Sequence, residues 1–160
     1  MPVTRVEVTP RQGEGMRDVR GDVVRRQLKA DHNVDVAHVR SICGYLIQGE
    51  TSADAIADRV DDLFADPIIE QGATNTILLS TGMFADAPDA VITVGFKPGV
   101  TDNPGKAATD GFLTLFPSDV EAKIATYLTY VFYGLPDDCD ESWLAGCLLY
   151  TSPSPRDKRL

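Results

Sequence analysis

The residue types best able to do chemistry are few and scattered along this chain. Asp137-Asp138-Cys139-Asp140-Glu141 is the densest polar cluster, and grouped carboxylates suit a hard cation such as calcium or magnesium. They lack the alternating ligand spacing of a calcium loop. Acids here are expected instead to open a helix and complement its dipole. His32 and His38 could form a metal pair or a general base. No Cys, Glu or Asp accompanies them at ligand spacing, so they read as surface histidines. Cys43 lies in an apolar run and reads as a small core residue. The glycines of Gly13-x-Gly15 and of Gly99 to Gly105 depart from nucleotide-binding spacing and read as turns. There is no Ser/His/Asp set, glycine-Lys-Ser/Thr phosphate loop or nucleophile elbow. No catalytic, cofactor-binding or metal-ligating residue is therefore assigned.

Composition narrows the classes further. The chain has 160 residues, 43% hydrophobic and 24% charged, which suits a folded domain of ordinary size or two small ones and excludes a disordered chain. Fifteen basic against 24 acidic residues give a net charge of −9. Such a surface repels phosphate backbones and anionic lipid, so neither nucleic acid nor a membrane is expected as partner. The three cysteines, Cys43, Cys139 and Cys147, form no Cys-x-x-Cys pair. A disulfide scaffold and a zinc site are both disfavoured, and a cytoplasmic location is expected.

Strands and helices alternate along the chain. Val6, Val8 and Pro10 alternate with polar residues, as in a strand with one buried face. After the turn at Gln12 to Gly15, Asp18 precedes a helix carrying Val24 and Leu28 on one face, which His32-Asn33 breaks. Val36 to Ile47 is a second strand, ending at Gly49. Ser52 to Ala65 reads as one helix, capped by Thr51 or Ser52, with Ile56, Val60 and Leu63 inward and Pro67 at its end. Ile68-Ile69 and Ile77-Leu78-Leu79 are expected to form a third strand or a broken pair. The order then restarts. Val91 to Val94 reads as a strand, and Gly99 to Gly105 as a turn into a helix, with Asn103 as N-cap and Pro104 at its first position. Ala108, Phe112 and Leu115 mark that helix's apolar face. Ile124 to Tyr133 is a long strand ending at Gly134, and Asp140 to Gly146 starts a helix.

Placed in register, Val8 matches Val94, Asp18 matches Asp102, Gly21 matches Gly105, Tyr45 matches Tyr130 and Gly49 matches Gly134. This is the signature of a duplicated unit. The expected fold class is α/β (α+β): tandem β-α-β-α-β units, each a small antiparallel sheet with helices on one face. The units span residues 3–80 and 90–146, joined by a linker at 81–89, and the second is incomplete. Residues 147–160, CLLYTSPSPRDKRL, follow neither period. Cys147 to Asp157 resembles the translation of a transposase-type sequencing adapter, so 147–160 reads as an appended tail. The natural chain is expected to continue past Gly146 in another sequence.

Both units resemble PurS, the small subunit of phosphoribosylformylglycinamidine synthase. In the first, the resemblance lies in Val6-Glu7-Val8, Asp18-x-x-Gly21, Val39-Arg40 and Phe64-Ala65-Asp66-Pro67-Ile68-Ile69-Glu70. In the second it runs from Val94 through Phe96-Lys97-Pro98-Gly99-Val100-Thr101-Asp102-Asn103-Pro104-Gly105-Lys106-Ala107-Ala108. The first copy carries an insertion at Gln12 to Gly15 and lacks the Lys-Pro-Gly. Two such units in tandem resemble the N-terminal region of fused synthases in de novo purine biosynthesis. The resemblance implies a non-catalytic part of an ATP- and glutamine-dependent ligase, packed on the synthase body and assisting ammonia transfer. It implies ATP and magnesium for the parent enzyme and none for this chain, with the synthase and glutaminase parts as partners. The isolated chain is expected to self-associate. The alternatives are a regulatory module that binds a small molecule such as an amino acid, and a stand-alone interaction protein.

Overall fold

A computed structural model describes residues 1–84, 86–151 and 156–157. The elements follow in the order β1 (Val3–Pro10), α1 (Val19–His32), β2 (His38–Gln48), α2 (Ala53–Ala57), α3 (Val60–Leu63) and β3 (Glu70–Thr74). A single 3₁₀ turn (Leu78–Ser80) leads to β4 (Ala90–Phe96), α4 (Asn103–Leu115), β5 (Lys123–Tyr133), α5 (Glu141–Thr151) and the two-residue β6 (Arg156–Asp157). Among the described residues no helix is long and apolar enough to cross a membrane.

The two units do not keep separate sheets. One antiparallel sheet runs in the order β3-β1-β2-β5-β4-β6, with β2 and β5 paired along all 11 residues of each. Cys43 pairs with Leu128, its own counterpart in the second half. Outward from there, Val8 pairs with Cys43 as Val94 pairs with Leu128. The sheet therefore has an internal two-fold axis at its centre. Helices cover one face in two related clusters. Val24 and Leu28 of α1 pack with Val39, Ile92, Val94, Phe132 and Leu144. Phe112 of α4 packs with Ile124, Val6, Val8, Ile47, Ile56 and Val60. Each cluster takes strands and helices from both halves, so neither half closes a core alone. Leu28, Phe112, Ile47 and Phe132 are at most 2% exposed, and burying each contributes about 1.5–3 kcal/mol.

The two long helices are anchored identically. The Asp18 side chain accepts from Gly21 N at 2.8 Å, capping α1, and also from Ser41 N at 2.5 Å and Ser41 Oγ at 2.8 Å on β2. Asp102 caps α4 through Gly105 N at 2.7 Å and takes Thr126 N at 2.6 Å and Thr126 Oγ1 at 2.8 Å on β5. The need is visible at β1. Continuing its register would set Pro10 opposite Ser41, and a proline has no N–H to give. The Thr9 hydroxyl donates to Ser41 O instead, at 2.9 Å, and Asp18 takes the amide. Gly21 and Gly105 let each helix sit directly on its strand. A Cβ on Gly105 would lie 2.5 Å from Ile124 O, and one on Gly21 would collide with Val39 O.

Three sequence expectations are corrected: the unbroken helix, the third strand and the cap of α4. The helix over Ser52 to Ala65 is broken at Asp58-Arg59. Arg59 N bonds back to Ile56 O in a tighter turn, which lets Val60 and Phe64 rejoin the core beside Ile56. The third strand is Glu70–Thr74, between the two isoleucine runs. Ile68, Ile69 and Ile77 are 74%, 52% and 50% exposed. Backbone pairing with β1, with Gly72 fitted beneath Val60, places this strand rather than hydrophobicity. Asp102, not Asn103, caps α4, because its carboxylate also reaches Thr126. Asp140 caps α5 by accepting from Trp143 N at 2.8 Å. α5 crosses position 147, and Cys147 and Leu148 pack in the first cluster. Of the segment read as a tail, 152–155 and 158–160 lie outside the described residues.

Asp119, in the loop before β5, ties the halves together at one end. It is buried and accepts from Glu50 N (2.9 Å), Thr51 N (2.8 Å) and Thr51 Oγ1 (2.7 Å). The Thr51 hydroxyl, with the two amides, holds its carboxyl below the usual aspartate range, against the opposing effect of burial. A depressed folded value gives stability that is present above the unfolded value and lost as pH falls through the folded one. Urea titrations should show Asp119→Ala less stable by about 1–3 kcal/mol at neutral pH. Below about pH 4 the difference from the parent chain should shrink. Gly21→Ala and Gly105→Ala should each cost about 1–3 kcal/mol by the same measurement. An unchanged midpoint for either would mean that helix and strand do not touch there.

Candidate functional site

The face of the sheet opposite the helices carries a cleft that joins charge, hydroxyls and apolar surface from both halves. β1 alternates, so Val6 and Val8 point to the helices while Arg5 and Glu7 point to this face. β2 brings Ile42 and Leu46, β5 brings Tyr127 and Thr129, and β4 brings Thr93. After β3 the chain turns back over the sheet. Asn75 adopts the left-handed conformation (φ 51°), its side-chain oxygen accepting from Arg5 N at 2.9 Å and its amide donating to Arg5 O at 2.7 Å. The segment beyond lays Leu78 and Phe84 on Ile42, Val131 and Tyr133. Ile77 and Leu79 form the near wall of the cleft, which is open to one side and has a volume of about 280 Å³.

Glu7 organises its floor. The residue is 5% exposed, and its carboxylate accepts from the Tyr127 hydroxyl at 2.7 Å and from Leu78 N at 2.8 Å. The Tyr127 ring lies on Gly44, where any Cβ would collide with it. Burial, reinforced by the Glu7 carboxylate, pushes the Tyr127 hydroxyl well above its ordinary range. It therefore remains a donor at neutral pH. Thr93 and Thr129 join hydroxyls at 2.9 Å on the opposite wall. Among the described residues neither Arg5 nor Glu7 forms an ion pair. The arrangement can hold and orient a small polar molecule.

Further along the same face, Arg40 is 6% exposed, with its guanidinium 4.0 Å from the centre of the Phe84 ring. It donates to Met83 O at 3.5 Å, and the Gln12 side-chain amide lies against it. It pins the crossing segment to the sheet and, with it, one end of the cleft.

The residues weighed for chemistry in the sequence lie elsewhere. His32 packs edge-on against Trp143 (5.3 Å between ring centres), and His38 stacks on Tyr133 (4.6 Å). Cys43 lies at the two-fold axis on the helix-covered face. Asp137 and Asp138 are exposed in the turn before α5, and among the described residues no group of three His, Cys, Asp or Glu side chains could hold a metal ion. Gly13, Gly15 and Gly99 lie in turns and bends. Alternation does not mark Glu7 as a site residue, because it treats a polar residue between two valines as solvated, and it does not distinguish Tyr127 within the apolar run of β5. The available signal was Gly44, since a glycine inside a strand marks a close approach.

No protein-family profile, curated protein or solved structure matches this chain.

Tyr127→Phe should lower stability by about 1–3 kcal/mol, since it leaves one oxygen of a buried carboxylate without its donor. Gly44→Ala should cost a similar amount (about 1–3 kcal/mol) by displacing the ring. If the two effects simply add in the double variant, the ring and the hydroxyl do not act through one contact.

Proposed function

We propose that this chain is a PurS-like, non-catalytic part of a phosphoribosylformylglycinamidine synthase, the ATP- and glutamine-dependent ligase of purine biosynthesis. The observation that carries the reading is the repeated anchor. Both Asp-x-x-Gly turns of the resemblance, at Asp18 and at Asp102, cap a helix and bind the adjacent central strand through the same atoms. The halves then join across a two-fold axis at Cys43 and Leu128. In a separate-subunit PurS this pairing would form between chains, and here it forms within one.

The module's role is to pack against the synthase body and help bring the ammonia-producing and ammonia-consuming sites together. ATP, magnesium and the glutaminase chemistry belong to those other parts. The surface best suited to that contact surrounds β3. Its outer edge is unpaired among the described residues, and Ile68, Ile69 and Ile77 stand exposed beside it. An open edge flanked by exposed isoleucines favours association with another chain. It also favours self-association when the body is absent.

The test mixes this chain with a synthase body and glutaminase deprived of their own PurS part. Glutamine-dependent amidation of formylglycinamide ribonucleotide should be restored, while ammonia-dependent amidation stays unchanged. Ile68→Asp with Ile69→Asp should weaken the restored activity by about tenfold or more. If the chain neither co-sediments with the body nor restores the glutamine-dependent reaction, the reading fails.

A further inference from the structure

The cleft on the helix-free face is asymmetric in a way the rest of the sheet is not. Under the internal two-fold, Glu7 corresponds to Thr93 and Tyr127 corresponds to Ile42. One cross-strand row thus presents a buried carboxylate from the first half and a phenol from the second, where the two-fold-related row presents a hydroxyl and an alkyl group. Glu7 answers Leu78 N of the crossing segment, and the Tyr127 ring fills the space over Gly44, whose two-fold counterpart is Thr129, but neither contact supplies a positive charge. Glu7 is held by two neutral donors, and among the described residues no cation pairs with it. A buried carboxylate without a positive partner is expensive to keep. Each of its oxygens retains a second lone pair able to accept from a cationic donor. Two residues along the same strand and face, Arg5 is half-buried in the cleft wall and likewise forms no ion pair among the described residues. The same cleft is lined by Ile42, Leu46, Ile77 and Leu79, with the Tyr127 ring over Gly44 and the Thr93–Thr129 hydroxyl pair beyond it.

We infer that this cleft binds a free α-amino acid with an apolar side chain. The ligand's ammonium group meets Glu7, its carboxylate meets the Arg5 guanidinium, and its side chain lies on Ile42, Leu46 and Leu79. A volume of about 280 Å³ lies just below the usual range of small-molecule sites, which suits a ligand the size of a single amino acid. Ligands that carry only one of the two charges leave either Glu7 or Arg5 unanswered. The inference does not depend on the synthase reading, since it uses the second face of the sheet and none of the anchor residues.

The experiment is calorimetry and thermal shift on the full chain with L-leucine, L-methionine and L-phenylalanine, each up to about ten millimolar. At least one should bind saturably and raise the melting temperature. 3-Phenylpropionate, which lacks the amine, and phenethylamine, which lacks the carboxylate, should each bind about tenfold or more weakly than phenylalanine. Arg5→Gln should weaken binding by about tenfold or more with an unchanged melting temperature for the unliganded chain. Thr93→Leu, which narrows the cleft without touching either charge, supplies a second variant and should also reduce binding. The inference is overturned if none of the three amino acids binds, if either single-charge analogue binds as tightly as phenylalanine, or if Arg5→Gln binds like the parent chain. Loss of amino-acid binding with glutamine-dependent amidation intact would sink this inference alone; the reverse would sink only the synthase reading.

Discussion

The pairing of β2 with β5 is the constraint on which the rest of this molecule depends. Eleven residues of one unit lie against the matching eleven of the other, with Cys43 and Leu128 at the centre. Because the ladder is continuous, the two units cannot bury their helices independently. α1 lies over strands that include β4 and β5, and α4 lies over strands that include β1 and β2. Each core therefore closes only when both halves are present and in register. A one-residue slip along the central pair would turn one of the two strands over, replacing Ile47 by Leu46 or Phe132 by Val131 beneath the helices.

Two carboxylates fix that register from the helix side. Asp18 and Asp102 each hold a helix N-terminus and a central-strand amide with one side chain, so helix position and strand position cannot vary separately. Glycine at the third helical residue removes the Cβ that would otherwise push each helix off its strand. Asp119 closes the structure from the loop side by joining the exit of β2 to the approach to β5. All three carboxylates bind backbone amides, where a charged acceptor makes stronger hydrogen bonds than a neutral one.

The helix-free face departs from this symmetry. There the segment after β3 crosses the sheet in one half, and the polar pair Glu7–Tyr127 stands where its counterpart would be Thr93 and Ile42. The internal two-fold describes the scaffold, and the cleft lies where the chain departs from it. A symmetric sheet would offer two equivalent shallow surfaces, whereas the crossing segment encloses one cleft and leaves the β3 edge open.

What could be read directly was whatever local physics dictates. Alternation around Val6 and Val8, the helix bearing Val24 and Leu28, and the Asp-x-x-Gly caps all follow from periodicity and from satisfying free amides within a few residues. The repeat itself was legible because the same anchors recur in order. Three features were decided only by the tertiary structure. The third strand fell in Glu70–Thr74, a polar run that no hydrophobic pattern marks, because an edge strand is chosen by the backbone groups of its neighbour. The helix after Ser52 broke at Asp58-Arg59 because Ile56, Val60 and Phe64 must all reach one curved sheet. Glu7 became buried because a segment some seventy residues away in sequence folded over it. A chain's periodicity reports which side of an element is apolar, but the company a polar residue keeps on the other side depends on contacts that close only when the whole sheet has formed.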